Sequence, residues 1–168
     1  MAKTEVWQRG PVERVAPLLQ PVAHTLLQCA EEIETTLTGL TPEEIWRASD
    51  ATAASIGFHL RHAIGALDRL FTYARGEALS DEQRRVAGQE SHVDLGMTGE
   101  MLLARFRAAV EQALAQLRAT NASTLTDARS VGRAQLPSTV LGLLFHAAEH
   151  TQRHAGQALT TRKLLIGR

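Results

Sequence analysis

The chain has 168 residues, 44% of them apolar, and its 18 basic and 18 acidic side chains give a formal net charge of zero. This length and apolar content predict one domain with a buried core over residues 1–168, and the balanced charge argues against nucleic acid as a partner, because phosphate binding needs a net basic surface. Cys29 is the only cysteine, which excludes an internal disulfide and a cysteine-based zinc site.

The first long helix is predicted from apolar residues at steps of three and four. These residues are Val22, Leu26, Cys29, Ile33 and Leu37. Pro21 is tolerated mainly in a first helical turn, so the helix starts no later than about residue 21, and Gly39 ends it. A short helix is predicted next, because Thr41 is followed by a proline and two glutamates, the order of a cap and an acidic first turn.

Two further long helices follow. The second is predicted to begin near Asp50 or Thr52 and to end at Gly76. Its apolar stripe consists of Ile56, Leu60, Ala63, Leu67 and Leu70. The third begins after Thr98, with a seam of Leu103, Phe106, Val110, Ala113 and Leu117. Alternating steps of three and four are typical of the packing seam in a helix bundle.

The fourth long helix is predicted to start at Ser138, directly after Pro137, and to run to about Leu165. Its apolar stripe consists of Leu141, Leu144, Ala148, Ala155 and Leu159. No run of residues alternates with period two, so no strands are expected. The predicted fold is therefore an all-α four-helix bundle.

The connection between the second and third long helices, residues 77–97, exceeds the roughly two to eight residues usual in bundles. It contains Ser80-Asp81-Glu82-Gln83, a capping-box pattern that predicts a short helix. A segment of this length can return along the whole bundle. We therefore expect a long crossover that leaves helices two and three parallel.

No segment of the sequence has the pattern of a targeting or membrane-spanning element. The residues after Met1 lack the apolar core of a signal peptide. The longest apolar stretch, about Val140 to Ala148, is too short to span a bilayer. We therefore expect a soluble, cytoplasmic protein that does not contact membranes.

Histidines are concentrated in two of the predicted helices. His59 and His62 lie in the second, and His146, His150 and His154 lie four residues apart in the fourth. Residues four apart share a helix face, so adjacent members can reach one metal ion. Either His150 with His154 or His146 with His150 supplies two ligands, and His59 or His62 supplies a third. A lone histidine usually makes an ordinary hydrogen bond, but burying several unpaired rings is costly, so the set favours a metal site.

Familiar catalytic motifs are missing. A zincin needs His-Glu-x-x-His, and neither His146 nor His150 is followed by glutamate. A di-iron bundle needs Glu-x-x-His pairs, but Gln152 stands three residues after Glu149. The sequence also lacks the glycine patterns of phosphate and dinucleotide loops. Peptidase and ferroxidase activities are therefore not favoured.

Two segments resemble the DinB/YfiT-like superfamily of metal-binding four-helix bundles. The motif His-x-x-x-His-x-Gly-Gln is matched by HTQRHAGQ, from His150 to Gln157. The second-helix pattern of a serine, an apolar turn and a histidine is matched by SIGFHLRH, from Ser55 to His62. The resemblance implies a divalent metal, nickel or zinc, held by His62, His150 and His154, and a long crossover between helices two and three.

His59 and His146 are additional to the superfamily motif and are alternates for the ligand set. They would hold the ligands in place, face a substrate, or add a ligand. Polar side chains expected near the metal are candidate catalytic residues, namely Glu149, Tyr73 and Gln157, the last of which belongs to the motif. Arg69 and Arg153 are further polar candidates beside them.

Three functional hypotheses follow from the resemblance. Characterised relatives include thiol-S-transferases that use bacillithiol, mycothiol or glutathione, so the leading hypothesis is metal-dependent transfer of a low-molecular-weight thiol to a small electrophile. The second is metal-assisted hydrolysis, with Glu149, His59 or His146 as the base. The third is a non-enzymatic, stress-associated bundle that binds metal for stability or sensing. Such bundles commonly dimerise, so a homodimer is the expected protein partner.

Overall fold

The computed structural model of the chain describes residues 4–48 and 53–167. Within these ranges the chain is mostly helical, as predicted. The helices are α1 (Gln20–Leu37), α2 (Pro42–Trp46), α3 (Ile56–Ala74), α4 (Asp81–Ala87), α5 (Gly99–Ala119) and α6 (Val140–Ile166). The strands are β1 (Ala128–Val131) and β2 (Leu136–Thr139). Among the described residues, no helix has an apolar stretch long enough to cross a membrane.

Hydrogen-bonded caps explain where the shorter predicted helices begin. The Thr41 hydroxyl accepts from the Glu44 N–H while the Glu44 carboxylate accepts from the Thr41 N–H, so a capping box starts α2. Ser80 and Gln83 form the same reciprocal pair at α4. Thr98 caps α5, which begins directly after it as predicted. Both short helices expected from the sequence are therefore confirmed.

The start of α3 differs from the sequence expectation. Its cap is Ser55, whose hydroxyl accepts from a backbone N–H in the first turn, and the helix begins at Ile56. The predicted starting points near Asp50 or Thr52 lie outside the described residues. The helix ends two residues before Gly76, whose positive φ of 82° suits a glycine after a helix terminus. Helix α1 keeps its predicted limits, with a proline in its first turn.

The four long helices pack around one apolar core. Helices α1 and α3 each contact both α5 and α6. The predicted apolar stripes supply this core, because sixteen of their twenty members are buried and the other four are half-buried. Its largest fully buried side chains include Leu26, Ile33, Leu60, Leu67, Phe106, Leu117 and Leu144. The packing places α3 against α6, and these are the two helices that carry the histidine clusters.

The segment before α6 forms a β-hairpin, so the prediction of no strands was wrong. Strands β1 and β2 pair antiparallel, with Ala128 opposite Thr139. Their side chains are exposed or half-buried, so the strands carry no alternating apolar pattern that a sequence could reveal. The last helix correspondingly begins at Val140, with Thr139 as its cap, and Ser138 belongs to β2.

The connection between α3 and α5 lies against α3. It contains α4, which contacts α3. Further along, Arg61 of α3 donates hydrogen bonds to the His92 carbonyl at 2.7 Å and to the Asp94 carboxylate at 2.9 Å. These bonds fasten the connection beside His62 and bring Glu90, a buried residue of the same segment, to that histidine.

Candidate metal centre

Three histidines from two helices meet where α3 crosses α6. His62 lies on α3, and His150 and His154 lie one turn apart on α6. One ring nitrogen of each lies within 4.8 Å of one ring nitrogen of the other two. The ring centroids are 4.6 to 5.0 Å apart for the three pairs. The chain therefore brings together the three histidines that the superfamily resemblance implies as ligands, which we call the histidine triad.

The shortest contact in the triad joins the Nε2 atoms of His62 and His150, which are 3.0 Å apart. Two imidazole nitrogens this close need a proton or a cation between them, because two lone pairs would repel. Two nitrogens bound tetrahedrally to one zinc ion at about 2.1 Å would lie about 3.4 Å apart. The His62 and His150 nitrogens would reach that spacing by moving apart by about 0.4 Å. Its donor set fits a divalent cation that accepts imidazole ligands.

Burial keeps the two triad histidines of α6, His150 and His154, neutral. Burial lowers the pKa of His154 to about 4, and the positive charge of a protonated His62 adds to this effect. Burial, followed by the charge of His62, also lowers the pKa of His150. Near pH 7 these rings are therefore unprotonated, and neutral imidazole is the form that binds a metal. The His62 side chain is 27% exposed, so the triad can be reached from solvent.

His59 supports the triad from inside the protein. It is 7% exposed, and its Nδ1 lies 3.0 Å from Nδ1 of His154. Burial lowers its pKa, and the charge of His62 acts in the same direction. This contact occupies one nitrogen of His154 and leaves the other nitrogen of that ring for a ligand. Of the roles expected for His59, the geometry corresponds to holding a ligand in place.

His146 occupies the surface next to the triad. Its ring centroid is 5.6 Å from that of His150, but its side chain is 51% exposed and its Nδ1 contacts the Glu149 carboxylate at 3.0 Å. Arg153 forms an ion pair with the same carboxylate. The hydrogen bond from Arg153 is the main reason why the pKa of Glu149 is lowered. The predicted catalytic candidate Glu149 is therefore engaged in a surface cluster on α6.

The other two predicted catalytic candidates are placed differently. Gln157 is exposed on α6, three residues beyond His154. Tyr73 lies eleven residues after His62 on α3, about 16 Å further along the helix axis. It lines a groove with Gly76 and Arg129 beside the hairpin. Tyr73 is thus not brought to the triad.

Glu90 lies beside the triad in the fold, although the sequence did not predict it as a site residue. Its side chain is 7% exposed, and one carboxylate oxygen lies 2.7 Å from Nδ1 of His62. The other carboxylate oxygen accepts from Arg69 at 2.6 Å. Arg69, one of the polar candidates expected near the metal, thus contacts this acid. An isolated glutamate in a connecting segment has no spacing rule that links it to a histidine 28 residues away.

Comparison with known proteins identifies the family. A family model of the DinB superfamily matches residues 25–158. The chain therefore belongs to the DinB superfamily, and the resemblance carried by its two histidine segments is confirmed. Among solved structures, it is similar to one described as a conserved protein of locus from Enterococcus faecalis, with a TM-score of 0.74 and 21% identity over 89% of this chain and 98% of that chain. Such a likeness shows the fold alone. No curated protein matches the chain.

Proposed function

We propose that the histidine triad holds a divalent metal, nickel or zinc, and that the protein is a metal-dependent thiol-S-transferase. The observation that carries this proposal is the meeting of three imidazole nitrogens within 4.8 Å in a DinB-superfamily chain. Imidazole suits both metals as a ligand. The substrates would be a low-molecular-weight thiol and a small electrophile.

The arrangement supports catalysis more than a closed structural site. Three protein ligands leave coordination positions free, and a cation there supplies Lewis acidity that makes a bound thiol or water easier to deprotonate. Buried His59 and His154 close the inner side, while the partly exposed His62 leaves the outer side open. A small molecule would therefore approach from the solvent side of His62.

Hydrolysis is the second hypothesis, because the residues expected to act as its general base are poorly suited to that role. A general base works best with a pKa near the working pH. Arg153 lowers the pKa of Glu149, which makes that carboxylate a weaker base than an ordinary glutamate. His59 is buried and already contacts His154, and His146 contacts Glu149 at the surface. Thiol transfer depends less on such a base, because a thiol is far more acidic than water and gives up its proton more easily.

We also propose the finer architecture expected from the sequence. A single domain built as a four-helix bundle accounts for the packing of α1 and α3 against both α5 and α6. The connection through α4 would be the long crossover between the second and third long helices. A homodimer and a cytoplasmic location stay predictions.

The metal site is tested by elemental analysis of tag-free protein after incubation with nickel or zinc and removal of free metal. We expect about one metal ion per chain for the wild type and a loss in both His62→Ala and His150→Ala. His24→Ala is a suitable control, because His24 contacts the Gly10 carbonyl in the N-terminal segment. A wild type that takes up no metal would contradict the proposal.

The activity is tested with metal-loaded protein, an aryl halide as electrophile, and bacillithiol, mycothiol or glutathione. We expect a thioether whose mass equals thiol plus electrophile minus the hydrogen halide. His150→Ala and metal-free wild type should form it only at the uncatalysed rate. Turnover of ester substrates without any thiol would favour hydrolysis instead. Full metal binding without turnover of either kind would favour the non-enzymatic hypothesis.

A further inference from the structure

Glu90 is buried and held by two side-chain partners, unlike a glutamate on the protein surface. It comes from the connection between α4 and α5, is 7% exposed, and uses both carboxylate oxygens. One oxygen is 2.7 Å from His62 Nδ1 and the other is 2.6 Å from Arg69 Nη1. A buried carboxylate is costly unless it is paired, so both partners are needed to keep it at this position.

Helix α3 makes room for this carboxylate with a glycine. A Cβ atom added at Gly65 would overlap Glu90 Oε1 and would lie 2.7 Å from Arg69 Nη1. Glycine inside a helix costs roughly 1 kcal/mol relative to alanine, so a local reason for its presence is expected. The reason on α3 is the close approach of Glu90 to the helix, one turn after His62.

The ring of His62 is also bounded on its face, and Glu90 distinguishes its two nitrogens. Phe58 lies nearly parallel to the ring, with centroids 5.6 Å apart and an interplanar angle of 8°. A stack of this kind limits tilting but is indifferent to a ring flip. A carboxylate at Nδ1 favours the flip state that places an N–H there, and it leaves Nε2 facing His150.

We propose that Glu90 is a positioning residue for the metal centre. It holds a proton on Nδ1 of His62, so that the Nε2 lone pair faces the other two triad histidines, and Gly65 and Arg69 keep the carboxylate in place. This inference rests on the metal site of the proposed function and adds the residue that prepares it. Carboxylates that accept from a metal-binding histidine fix its tautomer and raise its basicity.

The three triad rings are not supported equally. His154 contacts His59, and His62 contacts Glu90. Among the described residues, no hydrogen-bond partner lies near Nδ1 of His150, which is buried. Orientation of the triad therefore depends on Glu90 from the connection and on His59 from α3.

The first test measures zinc affinity by competition with a chromophoric chelator. We expect Glu90→Ala to weaken zinc binding about 10–100-fold and Glu90→Gln, which keeps an oxygen acceptor, to recover part of that loss. Gly65→Ala should weaken binding in the same direction, because the new methyl group displaces the carboxylate while the helix keeps its backbone. Glu82→Ala is the control for Glu90, since Glu82 lies in the same connection, is exposed and pairs with Arg85.

Gly99→Ala is the matched control for the glycine substitution. Gly99 is the first residue of α5, and a Cβ atom there would make only ordinary contacts of 3.4 Å or more, with Ile45 and Leu37. It should bind zinc as the wild type does. Equal affinities for the wild type, Glu90→Ala and Gly65→Ala, with all three proteins folded by circular dichroism, would overturn the proposal.

The second test is independent of metal binding. Nitrogen-15 NMR of metal-free protein at pH 8, where an ordinary imidazole is neutral, reports which nitrogen of His62 carries the proton. We expect the proton on Nδ1 in the wild type and a mixture of tautomers in Glu90→Ala and Gly65→Ala. A proton on Nε2 in the wild type would overturn the proposal even if zinc binds. A proton on Nδ1 in a wild type that binds no zinc would contradict the metal site alone.

Discussion

Two sets of side chains in this protein combine an imidazole, a carboxylate and a guanidinium in the same order. The buried set consists of His62, Glu90 and Arg69. The surface set consists of His146, Glu149 and Arg153. In both sets the histidine Nδ1 contacts one carboxylate oxygen and the arginine contacts the other. The contacts are alike, so any difference in their effects arises from their surroundings.

The surroundings differ most at the carboxylate. Glu90 is 7% exposed and its arginine 16%, whereas Glu149 is 39% exposed and its arginine 52%. Water can replace either partner of Glu149, so the surface set is weak and easily rearranged. Water cannot readily replace the partners of Glu90, so removing one leaves a charge without compensation. We therefore expect the buried set to fix the orientation of the His62 ring. The surface set, with similar contacts, should have little effect on α6.

Removal of the arginine should give the largest difference between the sets. We expect Arg69→Ala to lower the free energy of unfolding by about 3 kcal/mol, because the buried carboxylate keeps only the His62 N–H. Arg153→Ala should change it by less than about 0.5 kcal/mol. Urea denaturation followed by circular dichroism measures both. Equal losses would show that burial does not separate the two sets.

The effect of added metal on stability should differ between variants of His150 and of His146, which neighbour one another on α6. Zinc at about one hundred times its dissociation constant should raise the free energy of unfolding by about 2.7 kcal/mol if it binds the folded chain alone. His150→Ala should remove this stabilisation. His146→Ala should keep it, although the two rings are only 5.6 Å apart. Thermal melts with and without zinc give the comparison, and a loss in both variants would place His146 among the ligands.

Acid should destabilise the metal-free protein through the buried rings. The pKa of His154 is about 4 in the folded chain, lowered by burial and then by the charge of His62, against about 6.5 when unfolded. The unfolded chain therefore binds more protons between these values, so stability is complete above about pH 6.5 and falls as the pH decreases towards 4. From pH 7 to pH 5 this single group accounts for about 2 kcal/mol.

The pH effect has a matched pair of variants. His154→Gln should reduce the dependence of the free energy of unfolding on pH, because the group that resists protonation is gone. Gln152→Ala should retain the slope of the wild type, since that residue is exposed on the same helix and does not titrate. Urea titrations at several pH values distinguish them. Identical slopes for wild type and His154→Gln would contradict this assignment.

The two sets also mark what a sequence can and cannot predict. The surface set joins residues three and four apart on one helix, and such pairs follow from helical spacing. The capping boxes of α2 and α4 and the pairing of His150 with His154 are local in the same sense. The buried set joins residues 21 and 28 apart through a connection whose path depends on tertiary packing. Glu90 was therefore invisible to spacing rules, whereas His62 came from the family resemblance.

The hairpin and the start of α3 were missed for related reasons. A two-stranded ribbon that buries little apolar surface needs no alternation of apolar and polar residues, so ARSV in β1 and LPST in β2 lack the sequence pattern of strands. Several polar residues before α3 have the side chains of helix caps, so the sequence alone does not single out Ser55, which caps the helix in the structure. Long, strongly periodic helices were predictable because their core-facing stripes repeat over many turns.

The smallest expected effect concerns the surface set itself. A double-mutant cycle of Glu149→Ala and Arg153→Ala should give a coupling energy of about 0.4 kcal/mol at low salt, typical of an exposed pair four residues apart on a helix. In 1 M salt, where the screening length is about 3 Å, the coupling should vanish. The same cycle on Glu90 and Arg69 should retain most of its coupling, because low exposure shields that pair from ions. Equal salt sensitivity of the two couplings would show that Glu90 is hydrated in solution, and a hydrated Glu90 could not fix the ring of His62.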